Sequence, residues 1–205
     1  MKLYLSSYEM GDRFDEVSAF VGHGAKVAVI SNALDYIAPE ARAQYRGFDA
    51  TAFLRERGFE AFDLDLRDFF DGAEDLPRTL SDVRLIWAVG GNAFLLRRAM
   101  RQSNLDDLIV RRVGEGSLTY GGWSAGACVA GVSLRGIDIL DDPSLISSGY
   151  DPKIIWDGMG LVDFIIVPHF KSNHREAPGA EAAVGWLKQE GLPFQAIRDG
   201  EVIVR

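Results

Sequence analysis

The stretch from Thr119 to Ala130, TYGGWSAGACVA, constrains this chain more than any other. Gly121, Gly122, Ala125, Gly126 and Ala127 crowd small residues around a single Ser124. Within it, Gly122-Trp123-Ser124-Ala125-Gly126 fits G-x-S-x-G, the pattern of a nucleophile elbow. The reason for the pattern is steric. A serine at the tip of a sharp strand-to-helix turn needs strained backbone angles, and the neighbouring turns come so close that only residues with little or no side chain fit beside it. The turn also aims the amide of Ala125 at any oxyanion formed at Ser124. A five-residue pattern also arises by chance as a Gly-rich turn with an incidental serine, so the flanks matter. Ser117 to Tyr120 reads as a short strand before it, and Ala125 to Val132 as a helix opening after it.

The rest of the chain alternates in the same way. Lys2 to Ser6, Lys26 to Ile30, Glu60 to Leu64, Arg84 to Val89 and Leu161 to Val167 are short apolar runs that read as strands. Between them fall helical segments. Asp12 is expected to cap a helix to about Phe20, and another runs from about Pro39 to Arg57 and stops at Gly58. Gly90-Gly91-Asn92 opens a helix to about Gln102, a further one spans about Asn104 to Val113, and a last one Pro178 to Gln189. Asp65 to Val83 reads as irregular or helical, and Gly136 to Gly158 as loop. Phe194 to Ile197 and Val202 to Val204 read as strands joined by the tight turn Arg198-Asp199-Gly200-Glu201. This alternation implies βαβ units. The fold class it predicts is α/β, one domain over residues 1–205, with a mostly parallel sheet and helices on both faces in three layers. Sites in such sheets form at the carboxyl ends of strands. That rule selects Asn32, Gly90 to Asn92, Ser124, and Pro168-His169.

Composition narrows the function. The 205 residues carry a net charge of -8 and no basic cluster, which argues against nucleic acid or an anionic membrane as partner. No apolar run approaches the roughly 18 residues of a membrane span. The amino-terminal MKLYLSSYEMGD turns polar too soon for a signal peptide. The one cysteine, Cys128, rules out an internal disulfide and a cysteine-based metal cluster, and it reads as a small buried hydrophobe. A cytoplasmic protein, monomer or homodimer, is expected, with no metal and no cofactor.

A serine nucleophile needs a base, and the base needs an orienting group. There are three histidines. His23 precedes the strand Lys26 to Ile30 and so belongs at its amino end, away from the site. His169 directly follows a strand and is the expected base ahead of His174, which lies in the next loop and reads as a solvated loop residue or a substrate contact. The acid is expected to be Asp199, which begins a turn after a strand, with Glu201 and Asp163 as alternatives. The amide of Gly91 could serve as a second oxyanion donor beside Ala125, such donors contributing on the order of 3 kcal/mol each. No G-x-x-x-x-G-K-[ST] or G-x-G-x-x-G follows a strand, so nucleotide binding is not expected.

VGGNAF (Val89 to Phe94), YGGWSAGA (Tyr120 to Ala127) and VPHF (Val167 to Phe170) together resemble the peptidase E family, the α-aspartyl dipeptidases. The resemblance implies a fold like the class I glutamine amidotransferases, a serine peptidase activity and a short peptide as substrate, most often a dipeptide with amino-terminal Asp. It implies Ser124 as nucleophile, His169 as base, Gly91 and Ala125 as oxyanion amides, and Asn92 in the substrate site. The family's acid is usually Glu; the matching position here is Asp199. An arginine that binds the substrate's Asp side chain follows the histidine in the family, and Arg175 is the nearby candidate. Ala93 stands where the family often has Thr. Cyanophycinases carry a similar elbow, but Trp123 and Pro168-His169-Phe170 favour peptidase E.

Overall fold

The computed structural model describes residues 1–38, 41–42 and 48–205. Its centre is a six-stranded sheet in the order β3-β2-β4-β5-β1-β8. These strands are β1 (Leu3–Ser6), β2 (Lys26–Ile30), β3 (Glu60–Leu64), β4 (Leu85–Ala88), β5 (Thr119–Trp123) and β8 (Val202–Val204). All neighbours run parallel except β8, which pairs antiparallel with β1. A separate pair of parallel strands, β6 (Ile165–Val167) and β7 (Phe194–Ala196), completes the strands.

Successive side chains of a strand point to opposite faces, and here both faces are buried. Leu3, Leu5, Ala28, Ile30, Ile86, Ala88 and Tyr120 pack into one core with helices α4 (Ala93–Gln102), α5 (Leu105–Gly114), α6 (Ala125–Cys128) and α7 (Ala177–Glu190). Tyr4, Val27, Val29, Leu85 and Trp87 pack into the other, against α1 (Glu16–Val21) and α2 (Ala50–Glu56). The short helix α3 (Leu76–Thr79) lies between β3 and β4 in the chain. Two cores on one sheet make the three layers of an α/β fold.

Several local expectations are corrected. The strands at the carboxyl terminus do not form a hairpin: β7 joins β6 and β8 joins β1. Asp-Gly specifies a turn, with Gly200 at φ 93°, but strands on either side of a turn pair with whichever neighbour buries them better. Asp12 caps no helix; α1 begins after Asp15, and the Asp12 N–H donates to the Gly200 carbonyl at 2.8 Å. Of the helix expected from about Pro39 to Arg57, Ala41 and Arg42 are helical and α2 runs from Ala50, where the Asp49 side chain accepts from the Ala52 N–H; residues 39–40 and 43–47 lie outside the described residues. The strand expected from Leu161 is confined to β6, because the Met159 and Leu161 N–H groups are spent on carbonyls of Val129 and Ala130 just past α6.

The segment 136–158 lacks strands and long helices yet is firmly anchored. The buried Arg98 guanidinium donates to the carbonyls of Pro143, Leu145 and Lys153. Tyr150 donates to the Asp35 carboxylate, and Ser147 to the Asp35 carbonyl. Asn32 is part of this girder. It donates to Asp35 and Asp65 and accepts from the Leu66 N–H, so it braces the strand end and does not line the cavity.

Candidate active site

Ser124 follows the central strand β5 and precedes α6, with φ 48° and ψ -115°. A non-glycine residue there carries about 1–3 kcal/mol of strain, which persists only where the surroundings over-determine it. They do. The Ser124 N–H donates to the carbonyls of Ser6 and Ser7 at 3.2 Å each, and its carbonyl accepts from Ala127 and Cys128 at 2.9 Å each. A Cβ on Gly122 or Gly126 would sit 2.6 or 2.2 Å from the Ala88 carbonyl oxygen, so helix and strand could not close around any larger residue. Gly90 backs onto the nucleophile, since a Cβ there would lie 3.2 Å from that of Ser124. Gly91, at φ 142°, is pressed against the Ala33 carbonyl in the same way. Ala125 is the first residue of α6, so its N–H has no partner within the helix.

His169 lies two residues past β6 and Asp199 three residues past β7. Parallel pairing places both strand ends side by side, and the Ile197 N–H donates to the Val167 carbonyl at 3.0 Å. His169 Nε2 is 3.1 Å from Ser124 Oγ, and Nδ1 is 2.8 Å from Asp199 Oδ1. An ionised carboxylate only accepts, so Nδ1 carries the proton and Nε2 presents its lone pair to the Ser124 hydroxyl. Burial pushes the imidazole below its ordinary pKa; the hydrogen bond to Asp199 opposes this, and the nearby His174 adds to it. The base form is therefore favoured at neutral pH. Glu201 is engaged elsewhere, accepting from the Arg198 N–H at 2.8 Å. Asp163 is exposed and His23 lies in an exposed loop. Cys128 is buried, and burial pushes its thiol well above the usual range.

These groups open onto a cavity of about 520 Å³. Val29, Leu34, Phe48, Val89 and Trp123 give it an apolar side; Glu9, Asp141, Asp142, Arg175 and Glu176 give it a charged rim. Asn92 lines the cavity; its Oδ1 caps α4 through the Leu95 N–H, and one Nδ2–H donates to the Asp142 carbonyl. His174 stacks on His169 with ring centroids 3.8 Å apart and planes within 11°. Arg175 is largely exposed, with Nε 3.4 Å from the Glu176 carboxylate. His169, His174 and Glu176 form a group close enough to hold a metal ion, their ligand atoms all within 4.8 Å of one another. Stacked imidazoles, however, send their in-plane lone pairs out parallel rather than toward one point, so this arrangement suits aromatic packing better than coordination.

Sequence reasoning missed three members of this neighbourhood. Asp141 accepts from the Ala93 N–H at 2.8 Å, and burial pushes its carboxyl up to about 7 against that bond. Glu176 comes within 3.7 Å of His169 Nε2. Ser7 bonds both His169 and Asp199. Only Ser7 carried a usable signal, since it stands at the carboxyl end of a central strand.

Residues 16–205 match the family model described as Peptidase family S51. The chain belongs to peptidase family S51. By family it is a serine-type peptidase. Among its relatives, peptidase E of Streptomyces coelicolor is 30% identical over 195 residues, covering 91% of this chain and 70% of that protein. Peptidase E of Shewanella sp. is 33% identical over 141 residues, covering 64% of this chain and 54% of that protein. A Drosophila melanogaster protein provisionally named alpha-aspartyl dipeptidase is 30% identical over 131 residues, covering 62% and 51%. The match to the S51 chain thus spans about half the length of the last two. A solved structure of a Listeria monocytogenes EGD-e protein provisionally named peptidase E aligns with TM-score 0.71 and 22% identity, over 100% of this chain and 97% of that one. A peptidase from an acI-B1 Actinobacterium aligns at 0.68 and 16%, over 100% and 82%. At these identities the structural likeness speaks for the fold. No helix among the described residues is long and apolar enough to cross a membrane.

Proposed function

We propose that this S51 chain is a cytoplasmic serine exopeptidase that cleaves short peptides, foremost dipeptides with amino-terminal Asp, through an acyl-enzyme on Ser124. The observation that carries the reading is the unbroken line from Ser124 Oγ through the His169 ring to Asp199, at 3.1 and 2.8 Å. Ser124 attacks the scissile carbonyl while His169 Nε2 takes its proton. The Gly91 and Ala125 N–H groups receive the oxyanion. The imidazolium, held by Asp199, returns the proton to the leaving amine, and water then hydrolyses the acyl-enzyme by the same route. Asn92 shapes the acyl side of the cavity. His174 packs on the base and adjoins the leaving group. The Asp side chain would meet Arg175, a role supported by the name of the Drosophila relative and by the place of Arg175 on the rim.

A second reading keeps these three residues and changes the specificity. Among the described residues, the cavity is lined by the carboxylates of Glu9, Asp142 and Glu176, with the Asp141 carboxyl pushed up to about 7 by burial, against the guanidinium of Arg175. That balance suits the free ammonium of any amino-terminal residue as readily as an Asp side chain. The test is hydrolysis of Asp-Leu, Leu-Leu and N-acetyl-Asp-Leu by the wild type and by Ser124→Ala. Cleavage of Asp-Leu alone, lost in the variant, supports the aspartyl dipeptidase. Equal cleavage of Leu-Leu selects the broader dipeptidase. Cleavage of the acetylated peptide as fast as the free one defeats both.

A further inference from the structure

The nucleophile, base and acid arrive on three different strand ends, and one residue bonds all three segments, the nucleophile's through its carbonyl and the other two through its side chain. Ser7 is fully buried just past β1. Its carbonyl accepts from the Ser124 N–H at 3.2 Å. Its Oγ accepts from the His169 backbone N–H at 2.7 Å. The same Oγ lies 2.8 Å from Asp199 Oδ1 and 3.3 Å from the Ile197 carbonyl.

The hydroxyl has one proton to give. The carboxylate is both charged and nearer, so it takes that proton in preference to the carbonyl. The lone pairs of Oγ then face the His169 N–H, and the direction of the chain is fixed: His169 N–H to Ser7, Ser7 O–H to Asp199. Two consequences follow from chemistry. His169 sits at φ 60°, a left-handed conformation that costs a non-glycine residue about 1–2 kcal/mol, and its N–H is held in that turn by Ser7. Asp199 Oδ1 receives two donors, the Ser7 hydroxyl and His169 Nδ1–H. The Ser7 bond therefore sets where the carboxylate points and spreads its charge. The Asp199 N–H is tied in turn to Ser172 Oγ at 2.8 Å, which fixes the acid from its other side.

We propose that Ser7 is a positioning residue for the Ser124–His169–Asp199 reaction. It fastens base and acid to β1, the strand whose end also holds the backbone of the nucleophile. The spacing of the three groups is then set by the sheet rather than by the loops that carry His169 and Asp199. This inference rests on the reading of Ser124, His169 and Asp199 given above.

Ser7 is not among the residues lining the cavity, so it makes no contact through which it could bind substrate. That separates its role from a general loss of structure. Ser7→Ala is expected to lower kcat on the order of 10²-fold, the scale of a misplacement of about 1 Å, with KM within about twofold by the same argument. The acidic limb of kcat/KM should also move to higher pH. With the Ser7 donor gone, Oδ1 holds the imidazolium proton more tightly, and His169 stays protonated over a wider range. Ser7→Cys fills the same space with a weak donor and should show the same two changes in reduced size, so the test survives if Ser7→Ala folds poorly. Ser124→Ala is run alongside. A normal kcat and an unmoved acidic limb in both Ser7 variants, with Ser124→Ala inactive, would overturn the inference about Ser7 alone. Activity retained in Ser124→Ala would overturn the triad reading and the role of Ser7 with it.

Discussion

The two sides of the cavity are built in opposite ways. On the side of Ser124, position is decided by backbone: β5, α6, the Gly90-Gly91 turn and the end of β1 lie so close that glycine is required at Gly91, Gly122 and Gly126. Around His169 and Asp199 both backbone N–H groups, both ring nitrogens and Asp199 Oδ1 have partners within 3.1 Å. On the rim the groups are side chains. Arg175 reaches Glu176 at a loose 3.4 Å, and its side chain is 69% exposed. The first side can hold reacting atoms to a few tenths of an ångström; the second can adapt to different ligands. Chemistry sits where the fold is over-determined, and specificity where it is not.

The largest expected effect comes from the over-determined side. Asp199→Asn keeps the shape but removes the charge and replaces one accepting oxygen with an amide that donates, so neither the Nδ1–H tautomer nor the imidazolium is held, and kcat should fall by about 10⁴-fold, measured on whichever dipeptide the wild type cleaves. A fall under about tenfold would mean that packing, not Asp199, orients the imidazole. Gly126→Ala comes next. Its Cβ would meet the Ala88 carbonyl at 2.2 Å, and overpacking of this kind destabilises by about 1–3 kcal/mol. Denaturant unfolding should show that loss, together with a fall in kcat. An unchanged midpoint would mean that the elbow yields more than its contacts imply. The smallest effect lies toward the rim. The His169 pKa is lowered first by burial and further by His174. His174→Ala weakens both, so the pKa should rise and the acidic limb of kcat/KM should move up toward the ordinary histidine value. The wild type keeps its neutral base to lower pH. An acidic limb unchanged in His174→Ala would remove His174 from the electrostatics of the base.

The candidate site was legible to the extent that it depends on local signals. The small residues around Ser124 can be read directly, because the same steric demand that shapes the elbow writes glycine and alanine into the sequence. Placing His169 required only that a strand end before it. Asp199 was harder: Asp-Gly marks a turn whether or not the Asp does chemistry, and what distinguishes it from Glu201 is the 2.8 Å approach to His169 Nδ1. Asn92 stands on the cavity wall as expected; what local signals do not show is that its carboxamide also caps α4 and donates to the Asp142 carbonyl. Arg97 and Arg98 on α4 are both buried, which no local signal indicates. Their partners are Asp106 and Asp157 for one and carbonyls 45 or more residues away for the other.

By itself the sequence determined the alternation of buried strands and helices, the two-sided sheet and the turn at Ser124. Each of these depends on residues within a few positions of one another. Tertiary structure alone decided the pairing of β7 with β6 and of β8 with β1, the choice of Asp199 as partner of His169, and the placement of Ser7 between them. Those depend on contacts between residues from Ile165 and Phe194, 29 positions apart, to Tyr4 and Val204, 200 apart. Local chemistry does not encode a distance of that kind, and only the closure of the sheet makes the groups neighbours.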